Sequence, residues 1–585
     1  MVSLRFRTEG LALFSGLLIT LIISQPATAA PRVRIGNTTL VGRVLSAGCE
    51  QEFFGGIPFA EPPVGQFRLQ PPVPKATLDV SVFNATNYGK ACLQRGGTFA
   101  TLSEDCLTIN VHRPAKMAPG RKLPVLFWTY GGGFFEGSSQ GSDPSAIVSL
   151  SVQRGTPLIF VSFNYRLGPL GFPQGQEAQD RGALNLALRD QVAALQWVQA
   201  NIESFGGDKT KVTTFGISAG SIMTAVLYVN SSLKKYARAA IFQSGQAATP
   251  LIHNATRREI DWQHFIAAVP SCQHLAYTGS NTTFDCLRSI PPSDGVDSDE
   301  ILNGVNVALN TAPEQFAFDP TFDPTAPDGG VYPDVPSRLL NSGNYSKIPF
   351  IAGTVLDEGT LFASQLPSFS PSEMFAQIVA NYSPPVPDLG STGDQILANR
   401  VQQLIDIYPD DPAQGAPFGT GNDTFGLPDG AGFKKMAAML GDLLFHSQRR
   451  QWIQHATGDG VKAYGYVLAE KPVDQLIPAL GVMHGSDTPY TFGSLEAVNF
   501  APAPPGTQFD FALSKLMMEY WISFATSDDL NPNDGHGIQR PMWEMYTPSN
   551  EAILQLKLDN LSMIPDDYRQ EQIAFINEKP EIFHH

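Results

Sequence analysis

The chain is short of cysteine, with five in 585 residues, and short of charge, with 16% Asp, Glu, Lys and Arg. Basic charge is scarcer than acidic, 39 Lys and Arg against 55 Asp and Glu. A net charge of -16 with no basic clustering excludes a partner held through its phosphates, so no nucleic-acid ligand is expected. No two cysteines stand at metal-ligand spacing and no histidine pair accompanies them, which argues against a metal site. Beyond the N-terminus no segment is long and apolar enough to span a membrane, and the C-terminal EKPEIFHH carries no hydrophobic tail of the anchor-signal kind. Internal repeats and heptads are absent as well.

What is present is a large apolar fraction, 43%, which describes a globular protein with a sizeable core. The first residues place Arg5 and Arg7 before an apolar run from Leu11 to Ile23, and small residues follow up to Ala29. That order predicts a secretory signal over 1–29 and an exported, soluble chain over 30–585, with no stable membrane anchor. Sequons at Asn37, Asn84, Asn230, Asn254, Asn281, Asn344, Asn381, Asn422 and Asn560 fit a glycosylated extracellular protein. Cys92 with Cys106 and Cys272 with Cys286 are the simplest disulfides, leaving Cys49 as a buried thiol.

From Leu123, LPVLFWTY reads as a buried strand, and PLIFVSFNYR from Pro157 to Arg166 as another. Leu188, Val192, Leu195, Val198 and Ile202 recur at three- and four-residue steps, an amphipathic helix stopped by Gly206 and Gly207, and KVTTF follows as a third strand. Strand and helix in alternation predict an α/β fold with a mostly parallel sheet and helices on both faces. The stretches near 249–322 and 382–432 are less regular and read as inserted rim or cap segments of one catalytic domain.

Two serines sit in a glycine-x-serine-x-glycine pattern, Ser139 in GSSQG and Ser218 in FGISAGS. Only Ser218 lies where a strand ends and a helix begins, the place where a nucleophile is exposed on a tight turn and a helix N-terminus favours developing negative charge. Ser139 has no strand directly before it and is expected in a surface loop. Upstream, YGGGFFEG follows the strand LPVLFWTY, so its backbone N–H groups can converge as an oxyanion hole, with Gly132, Gly133 and Ala219 the expected donors.

FGGDKTKVTTFGISAG and EDCLTINVHRP resemble the two signatures of the type-B carboxylesterase/lipase family of α/β-hydrolases, most like the secreted fungal esterases and lipases. NYRLGPLGF, AIFQSG, GTVLDEGTLFA, GVMHGSD and WISFATSDDLNP are similar in the same order, so the resemblance runs from about Gly36 to Tyr546. It implies the α/β-hydrolase fold, no cofactor, and two partners for Ser218. DEG matches the acid motif and puts that role on Glu358, with Asp357 a structural neighbour, while HGSD points to His484 as base. Ser244 in QSG matches a supporting position.

The chain departs from the family's usual pattern at Ile217, where Glu is common, and at Thr214. With Phe134 and Phe135 after the glycines, Ile217 suggests a pocket for apolar groups. Only thirteen residues separate Cys92 from Cys106, with Phe99 the sole aromatic, too few for a long amphipathic lid and without the aromatic face a quaternary ammonium needs. The reading is a secreted serine ester hydrolase acting on small-molecule or lipid esters, with transient contact at lipid surfaces. Its alternatives are an interfacially activated triacylglycerol lipase and a non-catalytic adhesion or binding member of the fold.

Overall fold

The apolar runs from Leu123 onward form the middle of one eleven-stranded sheet. In chain order the strands are β1 (Arg43–Leu45), β2 (Gln51–Pro58), β3 (Thr108–Pro114), β4 (Leu123–Thr129), β5 (Ile159–Phe163), β6 (Gly207–Ile217), β7 (Ala239–Gln243), β8 (Phe350–Val355), β9 (Ala463–Leu468), β10 (Ala552–Leu556) and β11 (Ser562–Pro565). They lie in the order β11-β10-β9-β8-β7-β6-β4-β5-β3-β2-β1. From β10 to β5 the pairing is parallel, and β11 and β3 to β1 close the edges antiparallel. Every residue of β5, β7, β8 and β9 is buried, the continuous apolar pattern of parallel strands covered on both faces.

This computed structural model describes residues 30–45, 50–75, 77–96, 100–117, 120–249, 253–292, 300–311, 316–324, 329–471, 477–494 and 508–585. The expected signal over 1–29, the thiol of Cys49 and the ring of Phe99 lie outside them.

The strand read as Pro157 to Arg166 is shorter in the fold. The strand ends at Phe163: Asn164 N still donates to Thr108 O, but its side chain accepts from Ser139 N and donates to Lys90 O, and Arg166 turns to a buried pair with Asp190 at 2.7 Å. The stop after helix α1 (Leu186–Asn201) is Gly206 alone, which ends a short 3₁₀ turn at φ +83°; Gly207, expected to share that role, already begins β6. A Cβ at Gly206 would also fall 2.6 Å from Met117 Cε.

The two stretches read as rim or cap segments differ in where they pack. The stretch 249–322 is more regular than expected, with helices at Glu259–Ala267, Thr283–Ser289 and Glu300–Thr311, and its Trp262, Phe265, Ile301 and Val305 join the cluster that contains the sheet. The stretch 382–432 likewise proves more regular than expected, because it holds helix α3 (Gly393–Ile407), which follows α2 (Ala219–Val229) in this numbering. Its Leu397, Val401 and Leu404 pack into a second buried cluster with Phe362, Phe433, Met436 and Ile576. The periodic apolar residues were hidden by the Pro and Gly on either side, which dominate the composition of the run.

Both expected disulfides are formed, with Cα separations of 5.0 Å for Cys92–Cys106 and 5.8 Å for Cys272–Cys286. Seven of the nine sequon asparagines are exposed, and Asn230 and Asn381 are partly buried. Asn230 spends its amide nitrogen on Val331 O, the atom a glycan would need.

Candidate active site

Ser218 follows the last residue of β6 and caps α2 with φ 51° and ψ -127°, a conformation that costs energy in any residue but glycine. Its neighbours explain how the turn is held. A Cβ at Gly216 would fall 2.7 Å from the Gly220 carbonyl carbon, and one at Gly220 would fall 2.1 Å from Thr129 O. Both glycines of the pattern are therefore steric requirements: strand β6, helix α2 and the end of β4 meet too closely for a side chain. Ser218 N donates to Gln243 O at 2.9 Å and its carbonyl accepts from Ile222 N at 2.9 Å. Ile217 and Ala219 are buried, and Ser218 between them is half-buried.

The glycine turn leans on this serine, since a Cβ at Gly131 would stand 3.1 Å from Ser218 Cβ. Gly132 and Gly133 have φ of +107° and +60°, and Gly132 O accepts from the N–H groups of Phe135 and Glu136. The N–H groups of Gly132, Gly133 and Ala219 make no hydrogen bond among the described residues, Ala219 because it opens a helix. Just before the turn, Tyr130 and Tyr165 stack at 4.3 Å and each phenol bonds the other's carbonyl, at 3.2 and 2.8 Å. Neither tyrosine was singled out from the sequence, where only their places in the matched segments marked them.

Glu358 and His484 come from the chain after β8 and after β9. Glu358 is fully buried, with Oε1 accepting from Val355 N at 2.9 Å and Oε2 2.6 Å from His484 Nδ1. The other ring nitrogen, Nε2, is buried and has no partner among the described residues, Ser218 Oγ included. Such a bond commonly tightens only once substrate is in place. Phe445 and Phe362 flank the His484 ring with centroids at 4.7 and 5.2 Å, and Phe445 sits in a π-helical turn, Asp442–His446, inside a longer helical run.

Asp357 faces away from the imidazole. Its two oxygens accept from Phe418 N and Val482 N, both at 2.8 Å, which fastens the loop before His484 to the loop that carries Glu358. Burial pushes its carboxyl up to about 6 in spite of those two N–H groups. Behind the pair lies a buried polar group that sequence reading did not assemble: Asp487 Oδ2 accepts from Tyr466 OH at 2.7 Å and Gln243 Nε2 at 3.0 Å, and Gln243 Nε2 also reaches Thr491 Oγ1 at 3.1 Å. Burial raises the Asp487 carboxyl above the usual range. Gln243 joins the two halves of the site, since its carbonyl holds Ser218 N and its side chain holds the residue three places after His484. The segments AIFQSG, HGSD and WISFATSDDLNP carry Gln243, Asp487 and Trp521, which donates to Gln243 Oε1; Tyr466 and Thr491 had no sequence signal.

Ser139 is not in a surface loop. It is 2% exposed, its Oγ accepts from Asn110 Nδ2 at 3.0 Å, and its N–H donates to Asn164 Oδ1 at 2.9 Å. The glycines around it bring the chain inward to meet two buried asparagines. Ser244 is fully buried with φ 49°, and its hydroxyl bonds none of Ser218, Glu358 and His484. Phe134 is buried against Phe172 and Phe316, so its ring belongs to the packing under the turn, whereas Phe135 is half-buried beneath the Arg95 guanidinium. Among the described residues no group of three or more His, Cys, Asp or Glu is placed to hold a metal ion, and no helix is long and apolar enough to cross a membrane.

A parallel sheet with its strained serine, its glycine turn and its carboxylate–imidazole pair all beyond the carboxyl ends of the strands has the architecture of an α/β-hydrolase. Comparison with known proteins gives the family. Residues 29–576 match the carboxylesterase family, and the chain belongs to it. It is 33% identical to Lipase 1 of Geotrichum candidum across 96% of this chain and 98% of that protein, and 33% identical to the secreted triacylglycerol lipase LIP1 of Gibberella zeae across 94% and 91%. Its fold is similar to the crystal structure of Aspergillus niger EstA, with a TM-score of 0.76 and 25% identity, covering 95% of this chain and 99% of that one. The chain is a secreted carboxylic-ester hydrolase of this family.

Proposed function

We propose that Ser218 is the nucleophile, His484 the base, Glu358 the carboxylate that orients it, and the N–H groups of Gly132, Gly133 and Ala219 the oxyanion hole, and that the substrates are apolar carboxylic esters. The observation that carries this reading is the 2.6 Å contact between Glu358 and His484 Nδ1, which leaves Nε2 as the nitrogen able to take a proton. A serine hydroxyl attacks poorly until an imidazole removes its proton, and the imidazolium so formed needs a carboxylate at its other nitrogen. Attack on the ester carbonyl then gives a tetrahedral oxyanion beside the glycine turn. His484 passes its proton to the leaving alcohol, and water repeats the sequence on the acyl-enzyme. Apolar substrates are favoured by Phe445, Phe362 and Phe316, whose rings continue from His484 to Phe134 in steps of 4.7 to 6.4 Å. The segments 249–322 and 382–432 are read as the rim of this site, and the exposed sequons as glycan sites.

A phosphonylating reagent should label Ser218 stoichiometrically, and Ser218→Ala should lower ester hydrolysis by about five orders of magnitude while secretion continues. Full activity in Ser218→Ala, or its loss in Ser139→Ala, would refute the assignment. Triacylglycerol hydrolysis is the second reading, favoured by the names of the lipase relatives. The two are separated by substrate form, as given below.

A further inference from the structure

Of the seven residues from Gly131 to Gly137, four are glycine, so the turn that carries the Gly132 and Gly133 N–H groups has little intrinsic stiffness. It is held at its start by β4 and by the Tyr130–Tyr165 pair, and in the middle by Gly168 N, which donates to Phe134 O at 2.9 Å. Its far end is held by a side chain from another loop. Gln94 Oε1 accepts from Gly137 N at 2.8 Å, and Gln94 Nε2 donates to Gly137 O at 3.0 Å. Nε2 also donates to Cys92 O at 3.1 Å, so both of its acceptors are carbonyls and the orientation of the amide is settled by its partners. Cys92 itself is buried and tied to Cys106.

Gly137 in turn presses on the residues that open the turn. At φ +116°, a Cβ there would fall 2.7 Å from Tyr130 Cδ2 and 2.8 Å from Gly131 O. A shift of Gly137 is therefore passed to Gly131, which is itself packed on Ser218. We propose that Gln94 is a positioning residue for the oxyanion-hole N–H groups of Gly132 and Gly133, so that a side chain of the short disulfide loop fixes the direction of their hydrogen bonds. Oxyanion stabilisation depends on donors already aimed where charge develops, and a turn rich in glycine needs an external restraint to keep that aim. The inference rests on the assignment of the glycine turn made above.

The test uses full-length secreted enzyme with Gln94→Met, which keeps the length and loses both bonds to Gly137, and Gln94→Glu, which keeps an acceptor for Gly137 N and loses the donor. Rates are expressed per phosphonate-titrated Ser218 and measured on a matched pair of substrates, an oxo ester and its thionoester, whose sulfur accepts hydrogen bonds poorly. The expected result on the oxo ester is a fall in kcat of roughly tenfold for Gln94→Met and less for Gln94→Glu, with KM changed by less than about twofold. The thionoester rate should fall less, so that the oxo-to-thiono ratio shrinks. An unchanged ratio, equal losses on both substrates, a rise confined to KM, or no titratable enzyme from either variant would overturn the proposal. Wild-type enzyme that hydrolyses esters without being labelled at Ser218 would overturn the site assignment and this inference with it.

Discussion

The Ser218 side of the proposed site and the Glu358–His484 side are held by opposite means. Around Ser218 the constraints are mainly steric: Gly216, Gly220 and Gly131 permit contacts that any side chain would forbid, and the strain at Ser218 is confined by the strand before it, the helix after it and the bond from its N–H to Gln243 O. Around His484 the constraints are hydrogen bonds between residues far apart in sequence. Asp357 holds Val482 and Phe418, Glu358 holds the imidazole, and Asp487 holds Tyr466 and Gln243. A steric device fails when something is added. A bonded one fails when something is removed, and its failure depends on pH.

The sharpest break in this contrast is Glu358→Gln. The amide fills the same buried space but cannot stabilise an imidazolium, so kcat should fall by about 10³ to 10⁴ with the fold retained, as read by active-site titration and circular dichroism. Equal loss from Asp357→Asn with none from Glu358→Gln would reverse the two roles. Asp357→Asn should have the next largest effect, about tenfold in kcat, because an amide offers one acceptor where two backbone N–H groups need two.

Asp357 also carries the pH signature of the bonded side. Its carboxyl is raised from 3.8 to about 6 in the folded state, so the native protein keeps a proton that the unfolded chain has already lost. Its contribution to stability is therefore lost as pH rises from about 4 through about 6, by an amount on the order of 3 kcal/mol. Melting temperatures across that window should show the variant gaining on the wild type as pH rises. A parallel pair of curves would mean that Asp357 does not titrate there.

A smaller effect is expected from Ser139→Ala, which removes an acceptor for Asn110 and should cost about 1 kcal/mol of stability with kcat per titrated site unchanged. The smallest concerns substrate form. The Cys92–Cys106 loop has few large apolar residues and, at about 25 cal/mol per Å², gains little from transfer to an oil surface. Hydrolysis of a short-chain triglyceride, followed through its solubility limit, should change by less than about twofold at that point. A jump of several-fold would assign a lid to another segment and favour the lipase reading.

The steric half of the site was legible in the primary structure because its requirements are local. A strand, a serine between glycines and a helix lie within a few residues of one another, and the glycine turn directly follows β4. The parallel sheet was legible for the same reason, since continuous apolar runs and one periodic helix are short-range patterns. Glu358 and His484 were reached through segments that resemble family motifs, and nothing in their own spacing would have paired them.

Helix α3 was missed because the Pro- and Gly-rich residues around it outweigh its fifteen residues in any average over the run. The burial of Ser139 was missed because its partners, Asn110 and Asn164, come from other strands and their ends. The sequence alone thus determined the α/β architecture, the tight turn at Ser218 and the family. Only the tertiary structure decided which residues hold Glu358 and His484 in register, that Asp487, Gln243 and Tyr466 form one buried group, and that Gln94 closes the glycine turn. Those are contacts between residues tens to hundreds of positions apart, and a hydrogen bond formed by chain folding leaves no periodicity along the chain for a reader to detect.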